Sequence, residues 1–332
     1  MLDIIPDIHG QATKLEGALS ALGYRERGGT WRHPDPGRTA LFLGDLIDGH
    51  GDEAADARVL RIARAMVDAG AARCLMGNHE LNAIHYHWPE DDKGPLRPHT
   101  VKNTKQHAAF LRDHPLGSPA AREAIDWMMG LPLLMQTHGL RAVYACWDDA
   151  VIKAIRERGE VREADGARAV HLDREALRDA AMPTSEAIDS GAEPTPLALA
   201  VETALKGPEV GLADGASFRD KNGYERREVR IAWWRERART YRDAAISVPP
   251  DQAERVPDVP LPTGVPIYPT GAPPVVFGHY WLDWPREPHA ALPQAPNALC
   301  LDFSAGKGGP LVTYRHERGA PLDAARLVHH GR

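Results

Sequence analysis

One repeated unit limits the fold of this chain more than any other feature: a short apolar run that breaks off into polar residues and is followed by a helix-patterned segment. "LDIIPDIHG" runs into Asp7 and His9, "TALFLGDLIDG" into Asp45 and Asp48, and "ARCLMGNHE" into Asn78, His79 and Glu80. Between them, "QATKLEGALSALG" spaces Leu15, Leu19 and Leu22 as one helical face that stops at Gly23. "EAADARVLRIARAMVDAG" does the same with Val59, Ile62, Met66 and Val67, stopping at Gly70. "GLRAVYAC" reads as a fourth strand. This alternation predicts an α/β architecture with buried, partly parallel strands. In such sheets ligands bind beyond the carboxyl ends of the strands. Asp7, His9, Asp45, Asp48, Asn78 and His79 all fall there.

The remainder is patterned differently. From about 150 to 206 the chain reads as helical and charged, and "GASFRDKNGYERREVRIAWW" reads as a hairpin turning at Asn222-Gly223. Nine of the twenty-six residues from Pro249 to Pro274 are proline, which suits an extended connector. "PPVVFGHYW", "NALCLDF" and "GPLVTYR" are further strands, and the first again ends an apolar run in a polar residue, His279. The expected division is a core of residues 1–149 and 274–332, with residues 150–273 as a large, mostly helical insertion whose Pro-rich connector covers 249–274.

A formal net charge of -6 argues against a general nucleic-acid or membrane-surface binder, which would show a basic excess. Cys74, Cys146 and Cys300 are far apart in apolar segments, so neither a disulfide framework nor a CxxC metal site is expected. "MLDIIPDIHG" lacks the basic and long apolar stretches of a signal peptide, and no window has the apolar length of a membrane span. A cytoplasmic chain is expected.

Asp, His and Asn side chains at neighbouring strand ends mix hard oxygen donors with imidazole, a set that suits Mn, Fe or Zn. A lone DxH or GD is common turn chemistry. Three such loops in order, each behind an apolar strand, point to a metal centre. Two ions about 3.5–4 Å apart would clamp a phosphoryl group and activate water.

"PDIHG", "GDLIDG", "GNHE" and "FGHYW" resemble the conserved blocks of calcineurin-like metallophosphoesterases, and within them the branch of serine/threonine protein phosphatases and bacterial symmetrical diadenosine tetraphosphate hydrolases. The resemblance covers about residues 1–147 and 274–316. It implies a sandwich of two mixed sheets flanked by helices, with a dinuclear centre at one edge. It further implies that Asp7 and His9 bind one metal, Asp45 bridges both, and Asn78 and His279 bind the second. His79, held by Asp48, would be the general acid or a phosphate contact, and Glu80 a helix-start residue favoured by the dipole.

Three positions depart from that pattern. Tyr144, in "AVYACWD", stands where a histidine ligand is usual: either it ligates through oxygen, or a neighbour such as His138 substitutes, or the second site is weakened. Pro6 replaces a glycine, with the ligands kept. Gly49 replaces an arginine that often clamps phosphate, and His50 is too short to stand in. The insertion is therefore expected to offer Arg219, or failing that Lys206, to the substrate. His85 and His87 read as a solvated patch or pocket rim, and Trp233 and Trp234 as packing residues more than a base-stacking pair. The functional expectation is a dinuclear-metal phosphatase acting on phosphate monoesters in a phosphoprotein or nucleotide, with manganese among the candidate ions. Symmetrical cleavage of a dinucleoside polyphosphate is the enzymatic alternative, and a catalytically weakened binding protein the alternative of another class.

Overall fold

The computed structural model describes residues 1–51, 54–89, 94–221, 223–288 and 292–330. The three apolar runs of the repeat form the parallel strands Leu2–Ile5, Thr39–Phe42 and Ala72–Cys74, side by side in one sheet. Leu311–His316 adds antiparallel to the first of these and Leu327–His330 to its outer edge, which makes the sheet mixed. The second sheet runs Ala298–Cys300, Val275–Phe277, Leu140–Val143, Leu134–Thr137, Ala167–His171, Glu160–Ala164. Its first three strands are parallel and the rest antiparallel.

Alternation along the strands decides how the sheets meet. Leu2, Ile4, Leu41 and Leu75 from one sheet pack with Met135, Leu140, Ala142, Val276 and Leu299 from the other in one buried cluster. Opposite-pointing residues such as Ile5, Phe42 and Cys74 turn outward into a larger core beneath the helices. The helix Ala12–Leu22 buries Leu15, Leu19 and Leu22 there and ends at Gly23, whose φ of 97° suits only glycine. Asp56–Asp68 buries Val59, Ile62 and Met66. The fold is the expected sandwich of two mixed sheets with flanking helices.

Two expectations for the middle of the chain change. Residues 160–171, expected to be helical, form the strands Glu160–Ala164 and Ala167–His171 and complete the second sheet. They turn at Asp165-Gly166, both with positive φ, so the Asp-Gly turn signal outweighed the helical look of the charges around it. Past the helix Pro196–Lys206, the chain forms a small sheet of Glu209–Gly211, Glu228–Ile231 and Ala245–Ile246, with its own apolar cluster of Leu212, Phe218, Val229, Ile231 and Tyr241. The expected hairpin is present as Phe218–Arg219 against Glu225–Arg226, although Asn222 of its turn lies outside the described residues. No helix among the described residues is long and apolar enough to cross a membrane.

Candidate metal centre and active site

All the strand-end polar residues converge on one edge of the sandwich. Asp7, His9, Asp45, Asp48, Asn78, His79 and His279 are buried, between 0% and 7% exposed. The loops that carry them are bent sharply: His9, Asp45, Asp48, His279, Trp281 and Ser304 all adopt positive φ. Each non-glycine residue held there costs about 1–2 kcal/mol, less for Asp. Such strain gathered at one edge marks a site that packing alone does not explain.

Glu80 organises these loops. Its carboxylate accepts from the backbone N–H of Gly77, Asp45 and Leu46, all at 2.8 Å, so it ties the second loop to the third. It was expected only to start the helix Asn78–Tyr86. Burial and the nearby Asp45 push its carboxyl up to about 7. Gly77 must be glycine because a Cβ there would lie 2.2 Å from Asp45 Oδ1. That is why the strand ends on Gly-Asn-His-Glu.

His9 donates from Nδ1 to the Ile47 carbonyl, 3.1 Å away, which leaves its Nε2 aimed at Asp45 Oδ2 at 3.6 Å. His279 bonds Asn78 Oδ1 through Nδ1 at 3.0 Å, and its backbone N–H donates to Asp7. The Nε2 atoms of both histidines are buried with no hydrogen-bond partner. Burial holds both imidazoles well below their ordinary pKa, so both lone pairs are free. Asp7 is raised well above the carboxylate range by burial and by repulsion from Asp302 and Asp45, and Asp45 is also raised by burial. Neutral imidazoles with orphaned lone pairs beside crowded buried carboxylates fit divalent cations. His9, Asp45 and His79 offer ligand atoms within 4.8 Å of one another.

Asp48 joins His79 in a 2.6 Å bond to Nδ1, which turns Nε2 towards Asp45 at 3.8 Å. Burial alone would lower His79. The Asp45 charge and the Asp48 bond outweigh it and carry the imidazole up to about 9. Asp48 itself is pushed up by burial, but donors from His107 and His79 hold it below the usual range. A protonated, oriented imidazole beside a cation site can hand a proton to a departing oxygen.

Tyr144 does reach the site, in the role of a donor. Its hydroxyl donates to Asp7 Oδ1 at 2.6 Å and to Asp45 Oδ2, and burial with both carboxylates keeps the phenol protonated far above its ordinary pKa. His138 lies in the turn before the Leu140–Val143 strand, at the opposite end from Tyr144, and so cannot substitute. Gly49 has a physical cause: a Cβ would stand 2.5 Å from Ala54 Cβ and 2.6 Å from the His9 carbonyl, so no arginine fits. Arg219 is exposed, and its guanidinium donates to the Gly223 carbonyl of its own hairpin. Lys206 pairs with Glu202 at 2.7 Å. Arg219 makes no hydrogen bond or ion pair with the strand-end residues among those described, whereas burial lowers the His279 imidazole and the Lys206 charge is among those that add to it. Of the other flagged residues, His85 is buried and bonds the Leu177 carbonyl, so it is no solvated patch. Trp233 and Trp234 are buried too, Trp233 donating to the Ala145 carbonyl.

Sequence reading missed three contributors. Asp302 is fully buried at the same edge and holds the backbone N–H of Trp281 at 2.6 Å and of Ser304 at 2.9 Å. Its signal was available, since "NALCLDF" also ends an apolar run in an acid. Trp281 stacks on His9 at 4.7 Å and carries Lys307 Nζ 3.8 Å above its own ring, which puts a cation at the mouth. His107, an isolated histidine between two short helices, had no signal at all.

Residues 2–149 match the family model for calcineurin-like phosphoesterases. Over those residues the chain is similar to calcineurin-like phosphoesterases. It is 39% identical over 77 residues to an asymmetrical bis(5'-nucleosyl)-tetraphosphatase of Halalkalibacterium halodurans, covering 23% of this chain and 30% of that protein. The Bacillus subtilis protein of the same name is 36% identical over 77 residues, covering 23% and 30%. The chain thus spans less than a third of the length of the curated relatives it matches. The cold-active protein-tyrosine phosphatase of a psychrophilic Shewanella aligns over 99% of this chain and 80% of its own, at 14% identity and a TM-score of 0.46.

Proposed function

We propose that this edge hydrolyses phosphate esters with the help of divalent cations held by Asp7, His9, Asp45, Asn78 and His279. The observation that carries the reading is the pair of buried, unpartnered Nε2 atoms on His9 and His279 at an edge that also holds the raised carboxylates of Asp7 and Asp45. Such ions supply Lewis acidity toward the phosphoryl oxygens and a nucleophilic water at neutral pH. Tyr144 holds Asp7 and Asp45 in their common orientation, and Glu80 fixes the Asp45 backbone. His79, kept protonated by Asp45 and Asp48, gives its Nε2 proton to the leaving oxygen. Lys307 on its Trp281 platform takes the outer charge that an arginine at position 49 would otherwise meet. Residues 172–273, joined to the core among other contacts by the Trp233 bond to Ala145, border this mouth, where the charges of Arg230 and Lys206 act on His279.

The substrate proposed is a phosphate monoester, as in a phosphoprotein or nucleotide. The relatives' printed names support a second reading, cleavage of a dinucleoside tetraphosphate, and they specify asymmetrical rather than symmetrical cleavage. Turnover of an aryl phosphate, a phosphopeptide and diadenosine tetraphosphate, each with and without added Mn, Fe or Zn, tests both. Metal-stimulated turnover of any of them supports the general reading, and their ranking picks the substrate. A chain that binds metal and turns over none is instead a binding protein on this fold.

A further inference from the structure

We infer that His107 is a positioning residue for the proton donor, acting on His79 through Asp48. The inference rests on the proposed role of His79. His107 sits at the junction of the helices Val101–Gln106 and Ala108–Asp113, 59 residues from Asp48, and is buried. Its Nδ1 meets Asp48 Oδ1 at 2.6 Å, while His79 Nδ1 meets Asp48 Oδ2 at the same distance. The two carboxylate oxygens of Asp48 therefore each accept from a different histidine. The His107 ring has little freedom: it stacks on Phe110 at 4.7 Å and 18°, and its Nε2 lies 3.1 Å from His87 Nε2.

The plainer role for His107 is to satisfy a buried carboxylate and help hold its loop. The backbone of that loop is already held without it, because Asp56 accepts from the N–H of Asp48 at 2.8 Å and of Gly49 at 3.2 Å. What His107 adds is control of the carboxylate plane. With Oδ1 engaged, Asp48 cannot swing to offer both oxygens to His79 or turn away from it, so the His79 Nδ1–H···Oδ2 bond has one geometry. That bond sets which nitrogen of His79 faces Asp45. Loss of His107 should then loosen proton delivery while the cation-holding residues stay as they are.

Leaving-group dependence separates positioning from structure, because a poor leaving group needs the proton more. The full chain is assayed on p-nitrophenyl phosphate and on glycerol phosphate, with metal content and thermal unfolding recorded for each variant. In His107→Phe, kcat on glycerol phosphate should fall roughly tenfold further than on p-nitrophenyl phosphate, with KM and metal content unchanged. His107→Asn, whose amide N–H can replace Nδ1–H, should recover most of the loss. If His107→Phe does not fold, His107→Asn and His107→Gln replace it, the longer side chain being the one expected to show the leaving-group effect. Equal losses on both substrates, or no difference between variants, would overturn the inference. His79→Asn is the control: if it too affects both substrates equally, the proton-donor reading has failed; if it discriminates and the His107 variants do not, only the inference has.

Discussion

The strand-end edge and the small sheet around Glu228–Ile231 both carry many charges, and they treat them in opposite ways. At the strand ends Asp7, Asp45, Asp48, Glu80 and Asp302 are buried, satisfied by loop N–H groups, histidines and one tyrosine. In the small sheet Glu209 pairs with Arg230, and in the hairpin beside it Asp220 pairs with Arg226, at or near the surface above an apolar interior of Leu212, Phe218, Val229 and Ile231. Exposed pairs of the second kind contribute about 0–1 kcal/mol and ask nothing of the fold. Buried acids raised to about 6 or 7, as Asp302 and Glu80 are, work against stability unless a cation or proton arrives. A chain keeps such an arrangement for chemistry, whereas the small sheet reads as support for it.

The contrast is broken most severely at the proton donor. Asp48→Asn and His79→Asn should each lower kcat by roughly a hundredfold or more, within the range of general acid catalysis. The double variant should be little worse than His79→Asn alone, as for residues acting as a unit. Steady-state kinetics on all three with metal content measured in parallel decides this, and additive losses would separate the two residues. Gly49→Arg comes next. It forces a Cβ against the His9 carbonyl, so it should cost about 1–3 kcal/mol by urea unfolding and weaken metal binding. Unchanged stability would mean that the arginine is absent for some other reason than space.

A smaller effect tests burial away from the cations. Burial depresses His85 to about 4 against an ordinary 6.5, so between those values the unfolded chain binds more protons and stability falls as pH falls. Raised carboxylates at the strand ends titrate in the opposite sense, so the informative quantity is the difference between variant and wild type. His85→Gln, which keeps a donor for the Leu177 carbonyl, should gain on wild type below about pH 6.5, by up to about 1.4 kcal/mol per pH unit. A pH-independent difference in urea unfolding would contradict the assignment. Smallest of all, Arg219→Ala in the peripheral hairpin should leave kcat/KM within about twofold, as most surface substitutions do. A larger loss would bring the hairpin back into the chemistry.

The same contrast explains what was readable beforehand. Apolar runs ending in Asp, His or Asn are local signals, so the sandwich strands and Asp7, His9, Asp45, Asp48, Asn78, His79 and His279 were legible as one edge. Asp302 followed the same rule and was passed over because its motif is a single acid. The donor role of Tyr144 and the reach of Glu80 across two loops depend on the fold bringing distant segments together, and no spacing encodes that. His107 is the extreme case: nothing around "KQHAAF" points to Asp48. The strands at 160–171 were hidden because alternating charges on an edge hairpin look like a helix face until the Asp-Gly turn is given its weight.

The central claim is that the buried carboxylates and free imidazoles exist for cations, and Asp45 is where it is most exposed. Metal content per chain, measured by elemental analysis after dialysis against Mn and Zn, should approach two for the wild type and fall clearly in Asp45→Asn, with thermal stability rising on metal addition only in the wild type. Wild-type metal content in Asp45→Asn, or no bound metal in either protein, would contradict the account.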